Sequence, residues 1–256
     1  MRILVVGDLH CDTAAARMAI DHAAAVGADV LVQLGDFGFW PRTEPGRKFL
    51  RKAEARLAQV GLDLWWVQGN HDDHAALATR RVGADGRRQV SDHVFHLPRG
   101  HRWTWGNTTW VAAGGAVSLD RYGRTEGVSW FRDEVLTEPE VDRIIAEGLA
   151  DVVVSHDAPW GVGTLERRLR LDLTPSDRES WWPDDLLETS DDHMKRVRRL
   201  VDGVRAGRVL HGHHHFRYDD VLAGQHGAVA VTGLGDNQGA IDQAWILVDE
   251  AGQPTS

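Results

Sequence analysis

The first third of the chain alternates short apolar runs with longer stretches in which apolar residues recur every three or four positions. This pattern predicts three buried strands, at 2–7, 29–34 and 62–68, and two helices between them, at 13–26 and 46–60. Thr13 is the expected N-cap of the first helix, and Gly61 the expected end of the second. Strands that alternate with helices pair in parallel, so the pattern predicts an α/β fold.

The middle of the chain changes to short segments of alternating and aromatic residues. They predict antiparallel strands that extend a mixed sheet, at Val90–Leu97, His101–Trp105 and Thr108–Ala113. Gly106-Asn107 between the last two is a hairpin turn signal. Residues 114–136 are predicted to form a long loop, and long ordered loops are usually functional.

The second half returns to helices and strands. Thr137 and Glu140 form a capping box that predicts a helix to about Glu147. Segment 160–189 fits neither period, and is interpreted either as a lid over a site or as a packed surface excursion. Ser190 is the expected N-cap of a helix at 191–205, and strands are predicted at 151–155, 208–212, 215–221, 227–232 and 243–249. We expect one domain over residues 1–256.

Composition narrows the class of protein. A net charge of -9 argues against a partner held mainly through a phosphate backbone. The basic run at 195–199 follows acidic residues on one helix, so a solvated face is favoured over a nucleic-acid patch. The single cysteine, Cys11, excludes an intramolecular disulfide and favours a cytoplasmic protein. We find no transmembrane-length run, and expect no membrane partner.

Polar side chains with metal-binding chemistry stand at the ends of five predicted strands. They are Asp8 and His10, Asp36, Asn70 with His71, His156, and His213 with His215. Each one alone has an ordinary explanation as a turn residue, a cap or a buried histidine. Because open α/β sheets place their sites at the carboxyl ends of strands, the five together predict a two-metal centre.

The order Asp-x-His, Gly-Asp, Gly-Asn-His-Asp, His and Gly-His-x-His resembles the calcineurin-like metallophosphoesterase superfamily, from Asp8 to His215. The resemblance implies a four-layer α/β/β/α sandwich around two mixed β-sheets. It implies one metal ion held by Asp8, His10, Asp36 and His215, and a second held by Asp36 as a bridge with Asn70, His156 and His213. Oxygen and nitrogen donors without thiolate suit Mn, Fe or Zn.

The same resemblance implies hydrolysis of a phosphomonoester or phosphodiester. A hydroxide that bridges the two metal ions would attack phosphorus in line, without a covalent enzyme intermediate. His71 would protonate the leaving oxygen or stabilise charge in the transition state.

The chain departs from the phosphoprotein phosphatases of this superfamily, in which Gly-Asp-x-x-Asp-Arg-Gly is typical. Here Phe37-Gly38-Phe39-Trp40 follows Asp36, so both the carboxylate that orients the catalytic histidine and a phosphate-binding arginine are missing. The alternatives are Asp72, Asp73 or Asp120 for orienting His71, and Arg121, Arg124 or Arg217 for binding substrate. We therefore expect a phosphorylated small molecule or nucleotide rather than a phosphoprotein.

Two rival functions stay open. A catalytically silent scaffold of the same fold would have lost metal ligands, whereas every ligand position is filled here. A nuclease would need a basic track, for which 167–170 and 195–199 are the candidates, so nucleic acid is possible but not favoured. Five aromatic residues could stack on a base, although packing is the favoured explanation: Phe39, Trp40, Trp160, Trp181 and Trp182.

Overall fold

Two six-stranded sheets form the centre of the computed structural model, which describes residues 1–170 and 183–255. The first sheet has the order β12-β1-β2-β3-β5-β4, with β1 Ile3–Val6, β2 Val30–Gln33, β3 Leu64–Trp66, β4 Arg88–Gln89, β5 Val94–His96 and β12 Trp245–Val248. The second has the order β10-β11-β9-β8-β7-β6, with β6 Arg102–Trp105, β7 Thr108–Ala113, β8 Val152–Ser155, β9 Arg208–His211, β10 Tyr218–Gly224 and β11 Gly227–Gly233. In each sheet the four central strands run parallel and the two edge strands antiparallel.

Helices cover the outer face of each sheet. They are α1 Thr13–Ala25, α2 Glu44–Val60, α3 His74–Ala78, α4 Glu138–Ala146, α5 Gly163–Arg170 and α6 Asp184–Val204. Helices α1 and α2 pack with the outer side chains of the first sheet, and α4 and α6 with those of the second.

Alternation along the strands explains the layers. Leu4 and Val6 of β1 join the cluster that includes α1 and α2, whereas Ile3 and Val5 point between the sheets, where they meet Trp110 and other residues of the second sheet. Successive side chains of a strand point to opposite faces, so a continuous apolar run supplies two cores at once. The expected four-layer sandwich with two mixed sheets is confirmed.

One predicted N-cap and two predicted helix starts were wrong, although α1 begins at Thr13 as expected. Asp12, not Thr13, is the N-cap of α1, because its carboxylate accepts from the backbone N–H groups of Ala14 and Ala15. Helix α2 begins at Glu44 after the N-cap Thr43, and α6 begins at Asp184, so Ser190 lies inside it rather than capping it. The capping box at Thr137 is confirmed.

The middle strands divide between the two sheets. Strand β5, within predicted segment 90–97, pairs antiparallel with β4 as expected but parallel with β3, which corrects the antiparallel prediction on that side. Strands β6 and β7 form the expected hairpin across Gly106-Asn107, but in the second sheet, where β7 continues parallel to β8.

Segment 160–189 is partly helical, as α5 and the start of α6, and its residues 171–182 with Trp181 and Trp182 lie outside the described residues. Phe39 is fully buried, and Trp160 packs against the hydrophobic cluster between the second sheet and helices α4 and α6, so neither is an exposed aromatic. Among the helices described, none is long and apolar enough to span a membrane.

Candidate metal centre and cleft

The carboxyl ends of parallel strands from both sheets meet at one place. Two groups of three side chains lie there, and within each group the donor atoms are all within 4.8 Å of one another. One consists of Asp8, His10 and His215, and the other of Asp8, Asp36 and His156. The first sheet therefore contributes the carboxylates and His10, and the second contributes the other two histidines.

The ring of His215 is oriented by a carboxylate on each side. Its Nδ1 lies 3.2 Å from Asp236 Oδ2, which leaves Nε2 facing Asp8 Oδ2 at 3.1 Å and His10 Nε2 at 3.1 Å. A histidine that ligates a metal commonly donates its other ring N–H to a carboxylate, because this fixes the tautomer and the ring plane. The pair His215–Asp236 has this arrangement.

The buried ring of His156 is oriented by the backbone. Its Nδ1 donates to the carbonyl oxygen of Leu34 at 2.7 Å, so Nε2 faces Asn70 Oδ1 at 3.0 Å and Asp36 Oδ1 at 3.5 Å. Nε2 and the two oxygens all present lone pairs to one another. This contact is favourable only with a positive charge between the atoms, either a proton on Nε2 or a cation.

His213 reaches the same place from the turn after β9. Its backbone N–H donates to both carboxylate oxygens of Asp8 at 3.1 Å, and its ring centroid lies 5.0 Å from that of His156. The side chain of His214, between the two candidate ligands, lies 3.0 Å from the buried carboxylate of Asp157. That contact holds the turn against the end of β8.

The backbone at the site is strained. His10, Asp36, His213 and His215 have φ values of 46°, 53°, 66° and 59°, in the left-handed region that side chains other than glycine rarely adopt. Such conformations persist where the surrounding structure enforces them, and they concentrate at functional sites. Glycine at 212 lets the turn approach Asp8, since a Cβ there would lie 2.2 Å from Asp8 Oδ1.

The electrostatics of the site favour a cation. Burial alone would raise the pKa of Asp36, but His156 and His71 hold it well below its usual range. Although burial opposes it, Asp36 and Asp8 raise the pKa of His156 to about 10. Asp36 Oδ2 is buried and has no hydrogen-bond partner among the described residues. An uncommitted buried carboxylate oxygen, surrounded by oxygen and nitrogen donors, fits a divalent metal ion.

A cleft of about 480 Å³ opens beside these groups. It is lined by His10, Trp40, His71, Arg124, His215 and Gln238. Nη2 of Arg124 lies 3.5 Å from Nε2 of His71, and Nε of Arg124 donates to Asp120 at 2.7 Å. Burial lowers the pKa of His71, and Arg124 adds to this while Asp36 opposes it.

Of the three carboxylates considered for orienting His71, Asp120 is linked to it through Arg124, while Nδ1 of His71 has no hydrogen-bond partner among the described residues. Asp72 accepts from the backbone N–H groups of Gly38, Phe39 and Gly69. Asp73 is the N-cap of α3 and pairs with Arg42.

The three candidate arginines differ in whether they line the cleft. Arg124 lines the cleft, whereas Arg121 pairs with Asp185 and Arg217 with Asp219, and neither lines it. The basic run of α6 is paired with acidic neighbours, for example Arg199 with Glu138 and Asp142. This supports the prediction of a solvated face for that run.

Several residues of the site were missed. Asp236 follows β11, so the rule of polar groups at strand ends applied to it as well. Ser118 and Glu134 lie in the loop 114–136, which was expected to be functional and gave the candidates Asp120, Arg121 and Arg124, but these two residues were not among them. They hydrogen-bond to each other, and Ser118 contacts Asn70. No short motif signals that contact.

The sequence profile described as calcineurin-like phosphoesterase matches residues 1–217. The chain belongs to this family. The resemblance expected from the five motif blocks is therefore confirmed, and most of the described fold lies inside the matched region.

Solved structures agree at the level of the fold. The chain is similar to TT1561 of Thermus thermophilus, with a TM-score of 0.57, 14% identity, and coverage of 97% of this chain and 94% of that one. It is also similar to a dimetal phosphatase from Danio rerio, with a TM-score of 0.56, 14% identity, and coverage of 96% and 91%. None of the curated proteins matches significantly.

Proposed function

We propose that this calcineurin-like phosphoesterase is a two-metal hydrolase of a phosphomonoester or phosphodiester. The observation that carries the proposal is the position of Asp36 between two histidines. Its Oδ2 lies 3.8 Å from His10 Nδ1, and its Oδ1 lies 3.5 Å from His156 Nε2. The two oxygens of one carboxylate thus face two different nitrogen donors, which supports a shared ligand.

The proposed ligand sets are those that the family resemblance implies. Asp8, His10, Asp36 and His215 hold one ion, and Asp36, Asn70, His156 and His213 hold the other. The donor set suits Mn, Fe or Zn. When bound, such a pair of ions supplies a water of lowered pKa and neutralises charge on the phosphoryl oxygens.

The residues of the cleft act on the rest of the substrate. His71 lines the cleft, and its backbone N–H donates to Asp36 Oδ1 at 2.7 Å, so its imidazole can protonate the leaving oxygen of a substrate bound there. Arg124 beside it places a guanidinium where a phosphate oxygen can accept its hydrogen bonds. Trp40 gives the cleft one aromatic wall, which favours an aryl or nucleotide group next to the phosphate.

The substrate class follows from the same features. The arginine and carboxylate typical of phosphoprotein phosphatases are absent after Asp36, which argues against a phosphoprotein substrate. The net charge of -9 and the ion-paired face of α6 argue against a long nucleic acid. A small phosphorylated molecule is the remaining class, and the structurally similar Danio rerio protein is described as a dimetal phosphatase.

Hydrolysis of an aryl phosphate and of a bis-aryl phosphodiester, each with added Mn²⁺, tests the proposal. We expect turnover of at least one ester, loss of turnover with a chelator, and recovery when Mn²⁺ is restored. Asp36→Asn should reduce turnover by roughly 10²-fold or more, because a shared ligand is weakened. Asp63→Asn, at an exposed carboxylate that pairs with His93, is the matched control and should change nothing.

The outcomes also separate the rivals. No turnover of either ester by protein shown to contain metal would refute the proposal. Near-zero metal content after loading would favour a binding scaffold instead. The ratio of the two rates distinguishes a monoesterase from a diesterase.

A further inference from the structure

Asn70 can bind a cation only through its carbonyl oxygen, so the direction of its amide group decides whether it is a ligand. In the structure, Asn70 Oδ1 faces His156 Nε2, and Nδ2 donates to Ser118 Oγ at 3.1 Å. The residue is 2% exposed. Its amide direction is therefore set by protein groups rather than by water.

The direction of the hydrogen bonds beyond Asn70 is set by Glu134. Ser118 Oγ donates to Glu134 Oε2 at 2.6 Å, and the backbone N–H of Ser118 donates to Glu134 Oε1 at 2.8 Å. An ionised carboxylate only accepts, so the hydroxyl proton of Ser118 is committed to Glu134. The lone pairs of Ser118 Oγ then face Asn70, which must present its NH₂ group to them.

The loop that carries both residues is held at its two ends by one side chain. Nε of Arg99 donates to the carbonyl oxygen of Gly114, and its Nη2 donates to the carbonyl oxygens of Asp133 and Glu134, each at 2.8 Å. Ser118 and Glu134 are 1% and 2% exposed. Their buried contact is therefore a fixed part of the fold.

We infer that Glu134, acting through Ser118, is a positioning residue that turns the Asn70 oxygen toward the second metal ion. This inference rests on the proposed two-metal function. Without the carboxylate, Ser118 is free to donate to Asn70 Oδ1, which turns the amide nitrogen toward the ion and removes one ligand.

Glu134→Gln tests this with little change in shape, because the glutamine NH₂ group can donate to Ser118 and reverse the chain of hydrogen bonds. Calorimetric titration of the metal-free protein with Mn²⁺ measures the binding affinity at each of the two metal sites. We expect one ion to bind about 10–100-fold more weakly and the other to be unchanged. Burial raises the pKa of Glu134 to about 7. The calorimetric Mn²⁺ titration is therefore done well above neutral pH, where Glu134 is ionised.

Ser118→Ala provides a second variant and a test of the route. It should lower the affinity for the same ion. The double variant should bind that ion no more weakly than Ser118→Ala alone, because both changes break one chain of hydrogen bonds. A purely structural role would give additive losses. If Glu134→Gln does not fold, Ser118→Ala decides the question alone.

Glu54→Gln is the matched control. Glu54 also accepts from a serine hydroxyl and a backbone N–H, those of Ser91 and His93, and should leave both Mn²⁺ affinities unchanged. Unchanged affinities in Glu134→Gln and Ser118→Ala, or equal weakening of both ions, would overturn the inference. If the unsubstituted protein binds no Mn²⁺, the two-metal proposal fails and the inference falls with it, whereas normal binding by every variant refutes the inference alone.

Discussion

Replacing Gly69 with alanine should disable the site through a single methyl group. A Cβ at this position would lie 2.0 Å from Asp36 Oδ1 and 2.2 Å from the Asp36 backbone nitrogen. The φ angle of Gly69 is outside the left-handed region, so alanine carries no intrinsic backbone penalty there. The whole effect therefore comes from contact with Asp36.

The size of the effect follows from how far Asp36 must move. Ordinary contact begins near 3.4 Å, so the carboxylate must shift by about 1.4 Å. The backbone of Gly69 cannot move away easily, because its N–H donates to Asp72 at 2.9 Å and its carbonyl oxygen contacts His74 Nε2 at 2.9 Å. A displacement of about 1 Å at a catalytic group can cost roughly 10²-fold in rate.

We expect Gly69→Ala to lose about 10²-fold or more in kcat and to bind Mn²⁺ with altered stoichiometry. Overpacking should also lower the free energy of unfolding by about 1–3 kcal/mol, measured by urea denaturation. Gly207→Ala is the control, because no heavy atom lies within 4 Å of its added Cβ. Wild-type kcat and two intact Mn²⁺ sites in Gly69→Ala would show that the carboxylate position is not critical.

Three shorter predictions concern the cleft and the core. His71→Asn should lower kcat by about 10²–10⁴-fold and keep full metal content, since the imidazole acts on the leaving oxygen; metal loss by the variant would assign it a ligand role instead. Trp40→Leu should raise KM for a bis-aryl ester by roughly 5–150-fold and leave KM for an alkyl ester unchanged, because stacking is worth about 1–3 kcal/mol; equal changes in the two KM values would contradict stacking. Burial, with Arg88 nearby, holds the pKa of His96 well below 6.5. Below pH 6.5 the unfolded chain protonates this histidine and the folded protein does not. The free energy of unfolding is therefore unaffected by His96 above pH 6.5 and falls below it, by up to about 1.4 kcal/mol per pH unit. His96→Gln should flatten that slope in urea denaturation at a series of pH values, and an unchanged slope would contradict the assignment.

The strand-end pattern was predictive because parallel strands bring their carboxyl ends to one edge whatever the loops between them do. The start of α6 was not predictable in the same way. Of residues 184–190 only Leu186 and Ser190 are buried, and Ser190 is polar. A single buried apolar residue gives no helical pattern, so the first turns of α6 did not stand out as a helix.

The sequence by itself determined the chemistry that this chain can bring to its site. The types of donor, their order and their attachment to strand ends are local properties, and they were sufficient to identify the family and the layers of the fold. Only the tertiary structure decided which nitrogen of His156 and His215 faces the centre, which way the Asn70 amide points, and that Arg124 rather than Arg121 or Arg217 lines the cleft. Each of these depends on a hydrogen-bond partner or a neighbour far away along the chain, and such contacts leave no periodic or local mark in the sequence.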